Sequence, residues 1–255
     1  MIKGICHLSV IPLRSEPNSR SELVSQLLFG ETYTVIEKTT EWVKIKTDSD
    51  NYEAWISFNQ FAIWDEQFES TTVLKVFPFA IGLNLLTNEK SYLLAGSILY
   101  DYDFSDANFK LNKTPFQLSF VSGNNETNTS NTLLDWAHLF ENAPYLWGGR
   151  TFLGIDCSGF TQLIFKLIGI QLPRDAFEQA EMGTNIDSLS EFKLGDLAFF
   201  CNDSDKITHV GLIIGDGKLI HASGNVRIDI IDNHGIFNKT EGKYSHKLKF
   251  VKRIL

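Results

Sequence analysis

Cys157, His209 and His221 are the side chains of this chain best suited to covalent chemistry. Cys157 sits in Gly154-Ile155-Asp156-Cys157-Ser158-Gly159-Phe160. The segment that follows is apolar at Phe160, Leu163, Ile164, Leu167 and Ile168, with Gly169 just beyond. That spacing predicts a buried helix closed by the glycine. The thiol then falls at a helix N-terminus, where unpaired amides and the helix dipole favour a thiolate, the nucleophilic form. His209 and His221 lie in strand-like runs, Thr208 to Gly215 and Lys218 to Ser223. A cysteine with downstream histidines is a candidate nucleophile with a base and an orienting group. Two plainer readings compete. A free cysteine is often only a small buried hydrophobe, but here Asp156 and Ser158 flank it with polar groups. A structural zinc site takes about four ligands, often in close-set pairs. This chain has no paired cysteine, so neither a metal nor another cofactor is expected.

Several elements must position those groups. A helix is predicted from near Asn131, capped by Thr129 or Ser130, with apolar residues at 133, 134, 136, 137, 139 and 140 facing a core. Asp175-Ala176-Phe177-Glu178 has the form of a capping box, ahead of a helix ending near Gly183. Asp196 reads as a turn former, and His7, His138, His234 and His246 as surface or packing residues.

The first half is different. Strand signals cover Thr32 to Glu37, Glu41 to Thr47 and Tyr52 to Phe58, with Val43 and Ile45 alternating with Lys44 and Lys46. Short strands at this spacing suggest a small barrel. Further β-rich runs (Thr71 to Phe77, Ser91 to Tyr100, Phe116 to Val121) suggest a second, divergent one. The polar run after Ser122 is the best linker. The expected organisation is a barrel over 1–63, a second over 64–122, a linker over 123–130 and a third domain over 131–255.

Composition excludes several functions. The net charge is −8, with Lys and Arg scattered, so no basic face is expected for nucleic acid or anionic lipid. No apolar run approaches a membrane span, and Met1 to His7 lacks the apolar core of a signal peptide. Three cysteines form no disulfide framework and suit a reducing compartment, so a cytoplasmic location is expected. A monomer is the working expectation.

Six ordered motifs carry a more specific likeness: Pro144-Tyr145-Leu146-Trp147-Gly148-Gly149, Asp156 to Phe160, Leu172-Pro173-Arg174-Asp175-Ala176, Leu194-Gly195-Asp196, His209-Val210-Gly211 and Leu219-Ile220-His221-Ala222-Ser223. Residues 131–255 thereby resemble the NlpC-type cysteine peptidases, papain-like enzymes of bacterial cell-wall peptides. The resemblance implies an α+β papain-like domain with Cys157 as nucleophile, His209 as general base and His221 orienting it. It implies Tyr145 as a partner of the oxyanion, alongside the Cys157 amide. The runs Leu13 to Pro17, Glu22 to Gln26, Trp42 to Ile45 and Tyr52 to Ile56 resemble a bacterial Src-homology-3-like module.

Two such barrels ahead of that domain resemble the γ-D-glutamyl-L-diamino-acid endopeptidases that recycle muropeptides in the cytoplasm. The likeness implies a murein tripeptide or tetrapeptide substrate with a free N-terminal L-alanine. It implies that Asp175 binds the alanine ammonium, that Tyr52 closes the same pocket, and that Trp147 lines the methyl site. Asp156 and Ser158 are expected beside the substrate, and Glu22 as a first-barrel acid, with Glu16 its rival. Ala176 departs from the hydroxyl that relatives often carry there. The alternatives are an acyltransferase or amidase on the same core, or a non-catalytic peptidoglycan-binding protein.

Overall fold

The computed structural model describes residues 2–65, 67–120, 132–238 and 241–255. It divides into two compact units, 1–130 and 131–255. The expected linker, and Thr129 and Ser130 as caps, lie outside the described residues.

The first unit contains two six-stranded antiparallel sheets. One is built from β1 (Lys3–Ile5), β2 (Val10–Arg14), β3 (Leu23–Leu28), β4 (Thr32–Lys38), β5 (Trp42–Thr47) and β6 (Glu53–Ser57). The other comprises β7 (Thr71–Val73), β8 (Phe79–Asn84), β9 (Lys90–Leu94), β10 (Ile98–Tyr100), β11 (Asn108–Leu111) and β12 (Thr114–Phe120). The alternation in β5 works as its sequence dictates: Val43 and Ile45 are fully buried while Lys44 and Lys46 stay at the surface side. The sheet orders are β1-β4-β5-β6-β2-β3 and β7-β10-β11-β12-β8-β9. Position for position these are one winding, used twice.

The Thr71 to Phe77 run is a strand only as far as Val73, and Ser91 to Tyr100 is two strands. Gly96, at φ +86°, turns the chain between β9 and β10. The first sheet has a core of its own, which includes Ile11, Leu13, Tyr33, Val43, Ile45 and Ile56, and the second sheet's core draws on its neighbour. Ile5 and Phe29, from the first, pack with Leu93, Leu99, Phe109 and Phe116 of the second. Phe29 meets the Phe109 and Phe116 rings edge-on, at centroid distances of 6.1 and 5.9 Å.

The second unit is α+β. Helix α1 (Leu133–Leu139) starts at Thr132, whose hydroxyl accepts from the Asp135 amide at 3.3 Å. A short hairpin, β13 (Arg150–Thr151) and β14 (Gly154–Ile155), leads into α2 (Cys157–Leu167) and then the single turn α3 (Ala176–Gln179). That turn is shorter than the sequence suggests, because it ends at Gln179 rather than near Gly183. A seven-stranded sheet follows: β15 (Thr184–Ile186), β16 (Leu197–Cys201), β17 (Ile207–Gly215), β18 (Lys218–Ser223), β19 (Asn225–Ile231), β20 (Gly235–Asn238) and β21 (Lys243–Arg253). β21 pairs with β20 as well as with β15 and β16, which closes β16 to β21 into a barrel. α2 packs against β17 and β18, so the cysteine helix and the histidine strands face each other. Asp196 does form a turn, its Oδ2 accepting from the Lys193 amide, and it also takes a two-pronged bond from Arg253 on β21.

Candidate active site

Cys157 is the first residue of α2, and Asp156 is its N-cap. The Asp156 Oδ1 accepts from the Gly159 amide at 2.7 Å and its Oδ2 from the Gly148 amide at 2.8 Å. Arg174, 1% exposed, grips the same carboxylate from the other side, Nη1 to Oδ1 at 3.1 Å and Nη2 to Oδ2 at 2.5 Å. Its Nη1 also donates to Ser158 Oγ at 2.9 Å. A fork of this kind fixes both partners in one plane. The backbone comes close as well: a Cβ on Gly159 would stand 2.4 Å from the Gly149 carbonyl oxygen, which explains the glycine two positions after the cysteine. Gln179 adds a tie from α3, donating to the Ser158 and Pro173 carbonyls.

Asp156 and Ser158 thus build the start of α2. Both are buried, and the Asp156 oxygens accept from the Gly148 and Gly159 amides and from Arg174.

The surroundings of the thiol pull in two directions. Burial and the neighbouring Asp156 carboxylate push Cys157 up to about 12, against the Val210 and Ser158 amides and Arg174, which favour the anion. Desolvation is the largest of these influences. A backbone bond that favours the anion must come from a donor, so the Val210 amide points at the sulfur. Val210 follows His209 on β17, and the thiol therefore sits beside that histidine's strand position.

His209 and His221 do meet. His209 Nε2 lies 2.7 Å from His221 Nδ1, with the rings edge to face. A shared proton at that distance occupies the place where a common metal ion would sit, which disfavours the zinc arrangement. Burial holds both imidazoles below their ordinary range, His209 well below, so both are neutral near pH 7. A neutral His209 with Nε2 engaged has Nδ1 left to take a proton from a thiol.

Tyr145 is joined to β14 by a bridge with Ile155 that brings it beside the start of α2. Burial, with Cys157 and Asp156 nearby, pushes its phenol up to about 12, so it is a proton donor throughout the neutral range. Trp147 and Phe177 are exposed, at 58% and 56%. Asp175 is the N-cap of α3, with Glu178 Oε2 accepting from its amide at 3.5 Å, so the capping role exists whatever else the carboxylate does. In the first unit, Tyr52 precedes β6 and packs on the sheet's core, while Glu22 and Glu16 are exposed before β3.

Four residues gave no signal of their role in the sequence. Asp229 accepts from His221, and Arg227 accompanies it. His246, expected to be a packing residue, stacks on His209 with centroids 4.2 Å apart and planes 26° apart. Burial and the neighbouring His221 lower it to about 4. Arg174 lay within a quoted motif, but no local signal told its ion pair from a surface charge.

Comparison with known proteins agrees with this geometry. Residues 142–244 match the NlpC/P60 family, and residues 13–60 match the bacterial dipeptidyl-peptidase Sh3 domain. Two relatives named gamma-D-glutamyl-L-lysine dipeptidyl-peptidase come from Bacillus cereus and Bacillus subtilis. The first is 31% identical over 79% of this chain and 68% of its own length. The second is 31% identical over 78% and 71%. The crystal structure of an NlpC/P60 family protein from Bacillus cereus has the same fold, at a TM-score of 0.82 and 23% identity over 99% of each chain. A cysteine at a helix start, histidines on the strands packed against it, and relatives of this extent lead to one assignment: the chain belongs to the NlpC/P60 family and is a cysteine peptidase.

Proposed function

We propose that the enzyme hydrolyses the bond between γ-D-glutamate and the diamino acid of murein stem peptides. The observation that carries this reading is the Cys157 helix start set against the His209–His221 pair. The names of the two Bacillus relatives supply the substrate class. In the reaction, His209 Nδ1 takes the Cys157 proton as the sulfur attacks the γ-carbonyl carbon. The carbonyl oxygen becomes an oxyanion, met by the Cys157 amide and the Tyr145 hydroxyl. His209 returns the proton to the diamino-acid nitrogen as the C–N bond breaks. Water, activated by the same imidazole, then cleaves the thioester and frees the acid.

Specificity for a free N-terminal L-alanine, with Asp175 and Tyr52 recognising that end and Glu22 assisting, is part of the proposal and rests on the motif likeness. So do the cytoplasmic recycling role, to which the three free cysteines are suited, and the second sheet's being a further Src-homology-3-like barrel, supported by its repeated strand order. Among the described residues no helix is long and apolar enough to cross a membrane.

The test is direct. Incubation with L-Ala-γ-D-Glu-L-Lys, its diaminopimelate analogue and the muramyl-linked form of each should release L-Ala-γ-D-Glu, by mass, from the free peptides only. Cys157→Ala should abolish release while the thermal melt stays close to wild type. Equal cleavage of the muramyl-linked peptides would make the enzyme a wall hydrolase and overturn the Asp175 and Tyr52 assignments.

A further inference from the structure

The row of polar groups does not stop at the second histidine. On β18 and β19, His221 is paired with Arg227, and Asp229 lies two residues further on, hence on the same face. His221 Nε2 is 3.0 Å from Asp229 Oδ2, and Arg227 Nε donates to that same oxygen at 2.8 Å. Arg227 is itself anchored, since Nη1 donates to the Ser223 carbonyl. The hydrogen bond from His221, together with the one from Arg227, lowers the Asp229 carboxyl to about 2 against the opposing effect of burial. It is a carboxylate at any working pH, and a carboxylate only accepts.

That end condition propagates. A neutral imidazole carries one N–H, so an acceptor at Nε2 obliges His221 to hold its proton there and leaves Nδ1 as a lone pair. His209 Nε2, 2.7 Å from that lone pair, must then be the donor. His209 Nδ1 is left bare. We propose that Asp229 is a positioning residue: through His221 it holds His209 in the Nε2–H tautomer, the only one whose Nδ1 can receive the Cys157 proton, while Arg227 holds the carboxylate in place. The reacting groups are thus a thiol and an imidazole, backed by an ordering imidazole, a carboxylate and a guanidinium. This rests on His209 as the base.

Two measurements test it. Nitrogen-15 correlation spectra of histidine-labelled enzyme, with only six histidines to assign, should show His209 and His221 each protonated at Nε2 and bare at Nδ1. Asp229→Leu, which fills the space without an acceptor, should lower kcat by at least about tenfold with little change in KM, since ordering acts on the proton-transfer step. The same variant should show a mixture of His209 tautomers. Asp229→Asn can place an amide oxygen where Oδ2 stands, facing the Arg227 donor, and should restore most of kcat. A wild-type His209 protonated at Nδ1 would overturn the relay without any variant having to fold. An unchanged kcat in Asp229→Leu, alongside an inactive His209→Ala, would overturn the relay and leave the base assignment standing. An active His209→Ala would bring down the base assignment itself.

Discussion

Arg174 and Asp156 form a charge pair with almost no water on either side, their side chains 1% and 7% exposed. Removing one member of such a pair strands the other, so Arg174→Ala should cost about 3–5 kcal/mol of stability in urea unfolding. Arg174→Lys should recover only part of it, because one ammonium cannot span both Asp156 oxygens and Ser158 Oγ. Full stability in Arg174→Ala would mean that the start of α2 is held by its backbone alone. At this scale the sequence is readable where chemistry is tied to local pattern. Cys157 announces itself by the helix behind it, and His209 and His221 by their motifs. Asp229 and His246 do not, since their partners are set by strand register between β18 and β19 and by the return of β21, and neither is encoded near the residue itself. The environment of the thiol is legible only in part. A helix terminus shows in sequence, but the burial that opposes it does not.

At the scale of elements, the strands were the easier part. Period-two alternation marks β5, and the expected limits of β18 coincide with the observed ones. Where a run stayed β-rich across a glycine, as in Ser91 to Tyr100, composition hid a turn. The capping box before α3 is present, but the helix behind it is one turn long, the chain passing into successive turns after Gln179. One close approach is decisive. Gly30, at φ +80°, carries a hydrogen position where a Cβ would stand 2.0 Å from the Ile98 carbonyl oxygen. Its own carbonyl accepts from the Tyr100 hydroxyl at 2.8 Å. Gly30→Ala should therefore destabilise the first unit by at least about 1–3 kcal/mol from backbone strain alone. A thermal melt of the variant equal to wild type would show that the two sheets can part without penalty.

For the molecule as a whole, acid is the informative variable. His209, His221 and His246 are all held below their ordinary pKa of 6.5 by burial, His246 at about 4. Above about pH 6.5 these groups are neutral in both folded and unfolded chains and contribute no pH dependence. Below it the unfolded chain takes up protons that the folded one refuses, so stability falls steadily down to the folded pKa. Asp229, lowered to about 2, loses its contribution only in stronger acid and leaves this window unaffected. The melting temperature should drop between about pH 6.5 and about pH 4, and the drop should be shallower in His246→Phe, which keeps a flat ring against His209. A melting temperature flat across that range would rule out the neutral, buried histidine cluster.

The packing between the two sheets of the first unit has a consequence for how the molecule can come apart. Phe29 and Ile5 belong by chain position to one sheet and by packing to the other. The first sheet keeps an interior of its own, whereas the interior of the second is completed by these two residues. Opening of the first sheet would withdraw Phe29 from its neighbour's core, so a fluctuation large enough to unzip it must loosen the second as well. A winding used twice would by itself allow two independent modules that could be lost or exchanged singly. Lending two residues across the boundary makes the dependence one-sided: a chain cut near residue 64 would leave the first fragment its own core and the second an unfilled interior.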